Sequence, residues 1–379
     1  MVPATEHGTA SDNSSTELSP NVPPSATAAV PGISQVGQAA TEAADEPTAP
    51  SPVHAPSPPE SIIEADDLVS LSNSQVSVTS SVFEFVHEHG HRYHRKPEAL
   101  LPNDEFEQDR LDLQHHIFRM LLDGGLTHTV LLDDKPLEII DIGCGTGIWA
   151  IEMGDDFPNA SIRGIDESPI QPPWVPPNVT FEIDDVTKTW LVKGSSIDFV
   201  HIRTMAGCIP SWPDLLRSAL SALKPGGHIE VADIMWHFEC QDGSMKPDCA
   251  SIQWADKFHE LATASFHVDF APSPKMAGWL EEVGFVDINV HTRLVPVGPW
   301  PKDKKLKEIG RYFLAQMLQG GMENYSMALF TKAGWTDIGV HAMLGDVRQE
   351  ITDPRVHSFT RAWFITGRKA EEGGDHSLP

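Results

Sequence analysis

The feature that most constrains the fold is an apolar segment, residues 138–142, that runs directly into three alternating glycines. These are Gly143, Gly145 and Gly147, and the next apolar segment along the chain ends in Asp166. A glycine turn between a strand and a helix lets a ligand approach bare backbone, and the helix then begins with unpaired N–H groups. An acid at the end of the next strand can accept two hydrogen bonds from a ribose diol. The sequence therefore predicts a nucleoside site at the carboxyl ends of parallel strands.

The glycine spacing distinguishes between two kinds of nucleoside site. The dinucleotide fingerprint requires a glycine at its sixth position, where this chain has Ile148. The pattern from Asp141 onward is instead Asp-x-Gly-x-Gly-x-Gly, which resembles the first motif of class I S-adenosylmethionine-dependent methyltransferases. The resemblance implies that the loop glycines pack against the methionine part of S-adenosyl-L-methionine. It also implies that Asp141 orients the loop and faces the cofactor amino group, directly or through water, and that Asp166 holds the ribose.

The composition divides the 379 residues into three parts. Residues 1–78 are rich in Pro, Ser and Thr and contain no Lys or Arg. Because ordering a backbone costs about 1–2 kcal/mol per residue and this segment has little apolar surface to bury, we expect a disordered acidic tail. Residues 79–369 are enough for one large domain with a substantial core, and residues 370–379 form a polar tail.

Charge and composition also argue against nucleic-acid binding, a membrane span, a targeting signal, disulfides and a zinc site. The net charge of −27 argues against direct nucleic-acid binding, which needs basic patches. No run of about 18 apolar residues is present, so we expect no transmembrane helix. The first Lys or Arg is Arg92, so we expect neither a secretory signal nor an Arg-rich transit peptide. The four cysteines form no C-x-x-C pair, which disfavours disulfides and zinc. We expect an intracellular, cytoplasmic protein that could also enter the nucleus.

Alternating strands and helices over residues 137–292 predict a doubly wound α/β sheet. We expect a seven-stranded, Rossmann-like methyltransferase sheet with its ligand crevice at the carboxyl ends of the strands. An amphipathic helix at 104–123 lies within a predicted N-terminal helical cover, residues 79–125. A helical insertion at 295–355 precedes a last strand at 357–368.

A histidine-rich segment from His87 to His94 raises the alternative of a metal site. Histidines at alternate positions can point the same way along a strand. A metal site also needs fixed ligand geometry and supporting hydrogen bonds, which this pattern does not supply. We therefore predict no metal and interpret the segment as a polar cover packed against the helix at 104–123. In the methyltransferase family this region helps to close the cofactor pocket, which would give Tyr93 a role there.

Further segments resemble the same family. The resemblance implies that Asp185 contacts the adenine amine and that the Val186 N–H contacts the adenine ring. Arg203 ends the fourth predicted strand, where it could meet the cofactor carboxylate, meet an acidic substrate or form a structural salt bridge. A narrower resemblance, to the fungal LaeA-like methyltransferases, covers nearly all of residues 82–369. It rests on four segments: 101–105, 200–203, 298–303 and 306–310.

The chemistry of methyl transfer requires placement more than reactive side chains. The leaving group is already a good one, and holding two reactants in attack geometry contributes about 7–11 kcal/mol. A general base is needed only if the acceptor must lose a proton. The candidates for that base are Tyr93, His115 and His201.

Three functions compete at this point. The first is an S-adenosylmethionine-dependent methyltransferase that O- or N-methylates a small-molecule acceptor in secondary metabolism. Its support beyond the cofactor motif is a set of aromatic residues suited to an apolar acceptor: Trp254, Phe258, Phe266, Trp279 and Trp300. The second is a LaeA-like regulator that uses the same fold as a scaffold for protein partners. The third, an NAD-dependent oxidoreductase, is disfavoured by Ile148.

Overall fold

A computed structural model of the chain describes residues 84–94, 99–132 and 134–371, so the predicted tail at 1–78 lies outside the described residues. The described residues form ten strands and eight α-helices. The strands are β1 (Phe85–Glu88), β2 (His91–His94), β3 (Glu138–Ile142), β4 (Ser161–Asp166), β5 (Val179–Ile183), β6 (Ile197–Arg203), β7 (Leu223–Ile234), β8 (Glu239–Cys240), β9 (Val286–Pro296) and β10 (Ser358–Arg368). The helices are α1 (Glu105–Leu121), α2 (Ile148–Asp156), α3 (Trp212–Ala222), α4 (Ala250–Phe266), α5 (Ser273–Val283), α6 (Lys304–Gln316), α7 (Met322–Lys332) and α8 (Asp337–Ile351). None of the helices in these three segments is long and apolar enough to cross a membrane.

Strand β3 shows why the sheet is covered on both faces. Successive side chains of a strand point to opposite faces, so an uninterrupted apolar run suits a parallel strand that is buried on both sides. Ile140 and Ile142 pack in the cluster that contains Leu216 of α3. Ile139 packs in another cluster with Trp149 of α2. Helices therefore cover both faces, as the alternating pattern predicts.

The sheet has the predicted doubly wound architecture. Its parallel strands follow the order β5-β4-β3-β6-β7, and β10 then lies antiparallel between β7 and β9. The short β8 also pairs with the start of β10, so the sheet has eight strands where seven were expected. Two residues are too few to produce a hydrophobic period, which is why β8 has no sequence signal. The strand order reverses between β3 and β6, and a ligand crevice is expected there.

The N-terminal cover contains a hairpin as well as the predicted helix. Strands β1 and β2 pair antiparallel before α1 begins. The Asn103 N–H donates to the Arg92 carbonyl at 2.8 Å, and His91 Nδ1 lies 2.8 Å from Asp104 Oδ2. Asp104 also caps α1 with its side chain. The hairpin itself was not predicted, because its four-residue strands are mostly polar. The contacts with the start of α1 are those expected of a cover segment.

The helical insertion predicted between the last two strands consists of α6, α7 and α8. A kink separates α6 from α7, and Gly320 adopts a φ of 104° within it. A left-handed backbone of this kind favours glycine because a Cβ would be strained. The kink turns the chain so that Gln316, before it, and Tyr325, after it, line the same cavity.

The helical insertion donates a hydrogen bond to a buried ion pair in the N-terminal cover. Two nitrogens of Arg110 donate to the two carboxylate oxygens of Glu107, at 2.8 and 2.7 Å. Asn324 of α7 donates to the same carboxylate at 2.7 Å. Glu107 and Arg110 are both less than 5% exposed. The pair lies within α1, so the hydrogen bond from Asn324 to its carboxylate is what connects α1 to α7.

Candidate functional site

The glycine loop between β3 and α2 is packed so closely that side chains do not fit. Gly143 has a φ of 68°, and an added Cβ would lie 2.0 Å from the sulfur of Met205. A Cβ on Gly147 would lie 2.3 Å from the ring of Phe181. The Gly143 N–H donates to the Ile165 carbonyl at 2.8 Å, which holds the loop against the end of β4. The loop therefore presents bare main chain at the carboxyl end of the sheet.

Asp166 at the end of β4 is hydrogen-bonded to this loop. The Gly145 N–H donates to Oδ2 and the Ser168 N–H donates to Oδ1, each at 2.8 Å. Burial raises the pKa of Asp166 to about 6, although the two backbone hydrogen bonds oppose that increase. A carboxylate offers about four acceptor sites, so both oxygens can accept a further hydrogen bond. Asp166 thus positions the loop and still has the capacity to bind a diol.

Asp141 lies at the end of β3, beneath the loop. It is only 2% exposed, and its Oδ1 lies 2.7 Å from Nδ1 of His201 on the neighbouring strand. The His201 ring stacks on Trp149 of α2, with ring centroids 3.7 Å apart and an interplanar angle of 6°. This packing fixes the orientation of the imidazole and, through it, of the Asp141 carboxylate.

Arg203 at the end of β6 belongs to a polar network that reaches α1 and α2. Its Nη2 donates to Nδ1 of His115 at 3.0 Å, and His115 Nε2 lies 3.0 Å from Glu152 Oε2. Because a guanidinium can only donate, His115 Nδ1 must be the acceptor and Nε2 carries the proton toward Glu152. Burial and the neighbouring guanidinium both lower the pKa of His115, which keeps the ring neutral. Arg119 also pairs with Glu152.

A cleft with about 390 Å³ of empty space, which includes space open to solvent, lies beside these groups. Its lining includes five of the predicted site residues: His115, Asp141, Gly143, Gly145 and Arg203. Burial lowers the pKa of the Arg203 guanidinium to about 10, and Arg203 forms no salt bridge within the described residues. A cation that faces a cleft without an ion-pair partner, beside exposed main chain, fits the carboxylate of an amino-acid ligand.

Two predicted adenine contacts lie beside the site rather than in the cleft lining. Asp185 and Val186 follow β5, and the Asp184 N–H donates to the Asp166 carbonyl at 3.1 Å. The Asp185 carboxylate accepts from the backbone N–H and the hydroxyl of Thr187, at 3.0 and 2.5 Å. Val186 is buried. The structure brings this turn next to Asp166, and the contacts of Asp185 and Val186 with adenine stay predictions.

The three candidates for a general base have different surroundings. His115 lines the cleft, but both of its ring nitrogens are engaged in the network with Arg203 and Glu152. His201 is 1% exposed and is not among the residues that line the cleft. The Tyr93 hydroxyl is buried without a hydrogen-bond partner in the described part of the chain, and burial raises its pKa.

The histidines of the β1–β2 hairpin contact the helical insertion and the residue that caps α1. His89 Nε2 lies 3.1 Å from the Thr331 hydroxyl, while His91 contacts Asp104. Over residues 84–94, 99–132 and 134–371, no group of three or more His, Cys, Asp or Glu side chains is arranged to hold a metal ion.

A second cavity, also with about 390 Å³ of empty space, adjoins the cleft and shares Gln114 and Thr204 with it. Asp233, Gln316 and four aromatic side chains line it. The aromatic residues are Trp236, Phe270, Phe313 and Tyr325. Trp236 follows the fifth predicted strand, where the family resemblance implies an acceptor pocket, but none of the four belongs to the set of five aromatic residues suggested for an apolar acceptor. Trp254 and Phe258 of that set are fully buried in the core instead.

Several residues around the two cavities were missed by sequence reasoning. Asp233 had a usable signal, because it lies near the carboxyl end of a parallel strand, as Asp166 does. Gln114 and Glu152 lie on amphipathic helices, where a polar residue is unremarkable. Gln316 depends on the kink that follows it. These three have no local pattern that could reveal them.

Comparison with known proteins agrees with the geometry. Residues 113–290 match the methyltransferase domain family. The chain is 40% identical to Methyltransferase pytC of Aspergillus terreus over 320 residues, which cover 82% of this chain and 97% of that protein. It is 32% identical to Secondary metabolism regulator LAE1 of Cochliobolus heterostrophus, with 75% of this chain and 95% of that protein covered.

Among solved structures, a phosphoethanolamine N-methyltransferase 2 of Haemonchus contortus is similar, with a TM-score of 0.45 and 13% identity. The match covers 81% of this chain and 75% of that one. The sequence relatives show the family, because the similarity extends over at least 95% of each of these two relatives and at least three quarters of this chain. The chain belongs to the LaeA-like family of class I S-adenosylmethionine-dependent methyltransferases.

Proposed function

We propose that this enzyme methylates a small-molecule acceptor of secondary metabolism, on oxygen or nitrogen, and that the second cavity receives that acceptor. The observation that carries the proposal is the junction of the two cavities at Gln114 and Thr204. One side of the junction is polar main chain and buried charge, and the other side carries four aromatic side chains together with Asp233 and Gln316. A polar nucleoside and an apolar acceptor would therefore meet there.

The residues of the cleft, together with Asp166 and the turn after β5 beside it, would hold the cofactor by its three parts. S-adenosylmethionine, when bound, supplies a methyl group on a positively charged sulfur. Asp166 would accept hydrogen bonds from the ribose through its remaining lone pairs. The Arg203 guanidinium would pair with the carboxylate of the methionine part, and His115 would hold that guanidinium in place. The loop glycines would allow the close approach of the main chain.

The remaining predicted contacts complete this assignment. Asp141, oriented by His201, would face the cofactor amino group. Asp185 would accept from the adenine amine, and the Val186 N–H would contact the ring. Each of these groups is positioned by neighbouring strands or turns, so the chain contributes mainly placement to the reaction.

Methyl-labelled S-adenosylmethionine tests the proposal. The purified full chain is incubated with labelled cofactor and cell extract, and label is counted in extractable metabolites and in protein. We expect label in the metabolites, and we expect Asp166→Ala to abolish it together with cofactor binding. Label confined to protein would refute a small-molecule acceptor. The exposed Asp346 provides a matched control in Asp346→Asn.

A regulatory role through protein partners is the second candidate. The specific observation in its favour is the similarity to a protein named as a secondary metabolism regulator. A pull-down should compare the full chain with a variant that lacks residues 1–78. Stoichiometric capture of partner proteins without methyl transfer would favour this role.

We place the protein in the cytoplasm, with entry into the nucleus through a partner, and a fluorescent fusion would test that location.

A further inference from the structure

Asp233 is a carboxylate without a cation in a cavity lined by both polar and aromatic side chains. It lies on β7 beside the end of β6, where the Thr204 N–H donates to the Ala232 carbonyl at 2.9 Å. Oδ2 accepts from the Ala206 N–H at 3.1 Å, and Oδ1 accepts from the Ile234 N–H at 2.8 Å. Each oxygen keeps acceptor capacity toward the cavity that Asp233 lines. It is 6% exposed and takes part in no salt bridge within the described residues.

The surroundings of Asp233 give it the properties of a base that works near neutral pH. Burial raises its pKa to about 7, opposed only by the two backbone hydrogen bonds. The titratable groups that face it are Cys208 and Tyr325. Desolvation raises the pKa of both, so both stay neutral while Asp233 titrates. A proton acceptor is most effective when its pKa lies near the working pH.

Gln316 supplies a second polar contact for an occupant. Its amide oxygen is buried and has no hydrogen-bond partner within the described residues, and the residue is 2% exposed. A buried carbonyl oxygen left unpaired costs free energy, so an occupant that donates a hydrogen bond would be favoured there. No Lys or Arg is among the residues that line this cavity. The lining therefore disfavours an anionic occupant, and a hydrogen-bond donor with a flat apolar body that stacks on the aromatic walls fits it.

We propose that the methyl acceptor is a flat molecule with a hydroxyl group, and that Asp233 takes the proton of that hydroxyl. The inference rests on the proposed function, because it requires methyl transfer at this junction. The hydroxyl oxygen forms a bond to the methyl carbon, and the carbon–sulfur bond breaks with its electron pair on sulfur. The hydroxyl proton passes to a carboxylate oxygen of Asp233. Gln316 positions the acceptor by receiving a hydrogen bond.

The first test identifies the atom that receives the label. The full chain is incubated with methyl-labelled S-adenosylmethionine and an organic extract of cells, and the products are cleaved with hydriodic acid, which releases oxygen-bound methyl groups. We expect the label to be released from small molecules as methyl iodide. Label found only in protein, or only on nitrogen or sulfur, overturns the inference, because a thioether or a free amine needs no such base.

The second test assigns the proton to Asp233. Asp233→Asn should lower transfer by about a hundredfold or more and leave S-adenosylmethionine affinity unchanged, whereas Asp346→Asn should match the wild type. Wild-type transfer should fall about tenfold per pH unit below about pH 7, in step with ionisation of the carboxyl. An infrared titration should show a protonated carboxyl band near neutral pH that Asp233→Asn lacks. Wild-type transfer rates in Asp233→Asn overturn the inference. If the wild type binds no S-adenosylmethionine, the proposed function itself fails, which is a distinguishable result.

Discussion

Cofactor binding should weaken as the pH falls, because the proposed ribose acceptor becomes protonated. Burial raises the pKa of Asp166 to about 6, which brings its titration into an accessible range. The ionised carboxylate already accepts the Gly145 and Ser168 N–H groups and has sites left for both ribose hydroxyls. A protonated carboxyl loses one of these acceptor sites and adds a competing donor.

The size of the effect follows from the fraction ionised. A group with a pKa of about 6 is almost fully ionised at about pH 7.5 and about one quarter ionised at about pH 5.5. The association constant should therefore fall about fourfold, which is about 0.8 kcal/mol. The lower pH still lies above the isoelectric point of about 4.9. His115 stays neutral throughout because its pKa is lowered by burial, so it adds no change of its own.

Isothermal titration calorimetry at the two pH values measures this change, and Asp166→Asn is the matched variant. The Asn side-chain oxygen can still accept from the Gly145 N–H, so the loop should keep its position. Loss of a charged acceptor should weaken binding by about 1.5–3 kcal/mol at the higher pH and remove the pH dependence. Equal wild-type affinity at both pH values, or an unchanged fourfold dependence in Asp166→Asn, would refute the reasoning.

Three further predictions concern the loop, the buried ion pair and the second cavity. Gly143→Ala places a Cβ 2.0 Å from the Met205 sulfur at a φ of 68°, so calorimetry should show at least about tenfold weaker cofactor binding with an unchanged circular dichroism spectrum. Arg110→Leu leaves the Glu107 carboxylate buried and unpaired, so urea denaturation should show a loss of about 3–5 kcal/mol; an unaltered midpoint would contradict this. Burial raises the pKa of Asp233 to about 7. Because the ionised carboxylate is less favourable in the folded state than in the unfolded state, Asp233 lowers the free energy of unfolding increasingly from about pH 4 to about pH 7. Urea titrations should therefore show that the difference in unfolding free energy between Asp233→Asn and the wild type changes by about 2–3 kcal/mol, in favour of the variant, from about pH 5 to about pH 8. A difference that stays constant with pH would contradict this prediction.

The parallel part of the sheet could be predicted because its signals are local. Strands β3 and β6 are short and mostly apolar, and the glycine loop follows β3 directly in sequence. The acid of β4 was identified as a site residue for the same reason, since strand ends meet at one edge of a parallel sheet. The structure adds that Asp166 also holds the loop through the Gly145 N–H.

The second cavity could not be predicted because its residues come from distant parts of the chain. Gln114 lies on α1, Asp233 on β7 and Tyr325 on α7, and no spacing rule relates them. The kink at Gly320 brings the last of these into place, and a glycine pair alone does not indicate which way a chain turns. Aromatic content did predict an apolar site, but the residues that the sequence favoured are core residues such as Trp254.

A crystal structure of the full chain with S-adenosylhomocysteine would locate the cofactor directly. We expect the ribose diol within about 3 Å of the Asp166 carboxylate. The amino-acid end should lie against the main chain of Gly143 and Gly145, with its carboxylate on Arg203. A nucleoside bound elsewhere, or one whose sugar points away from Asp166, would contradict the account.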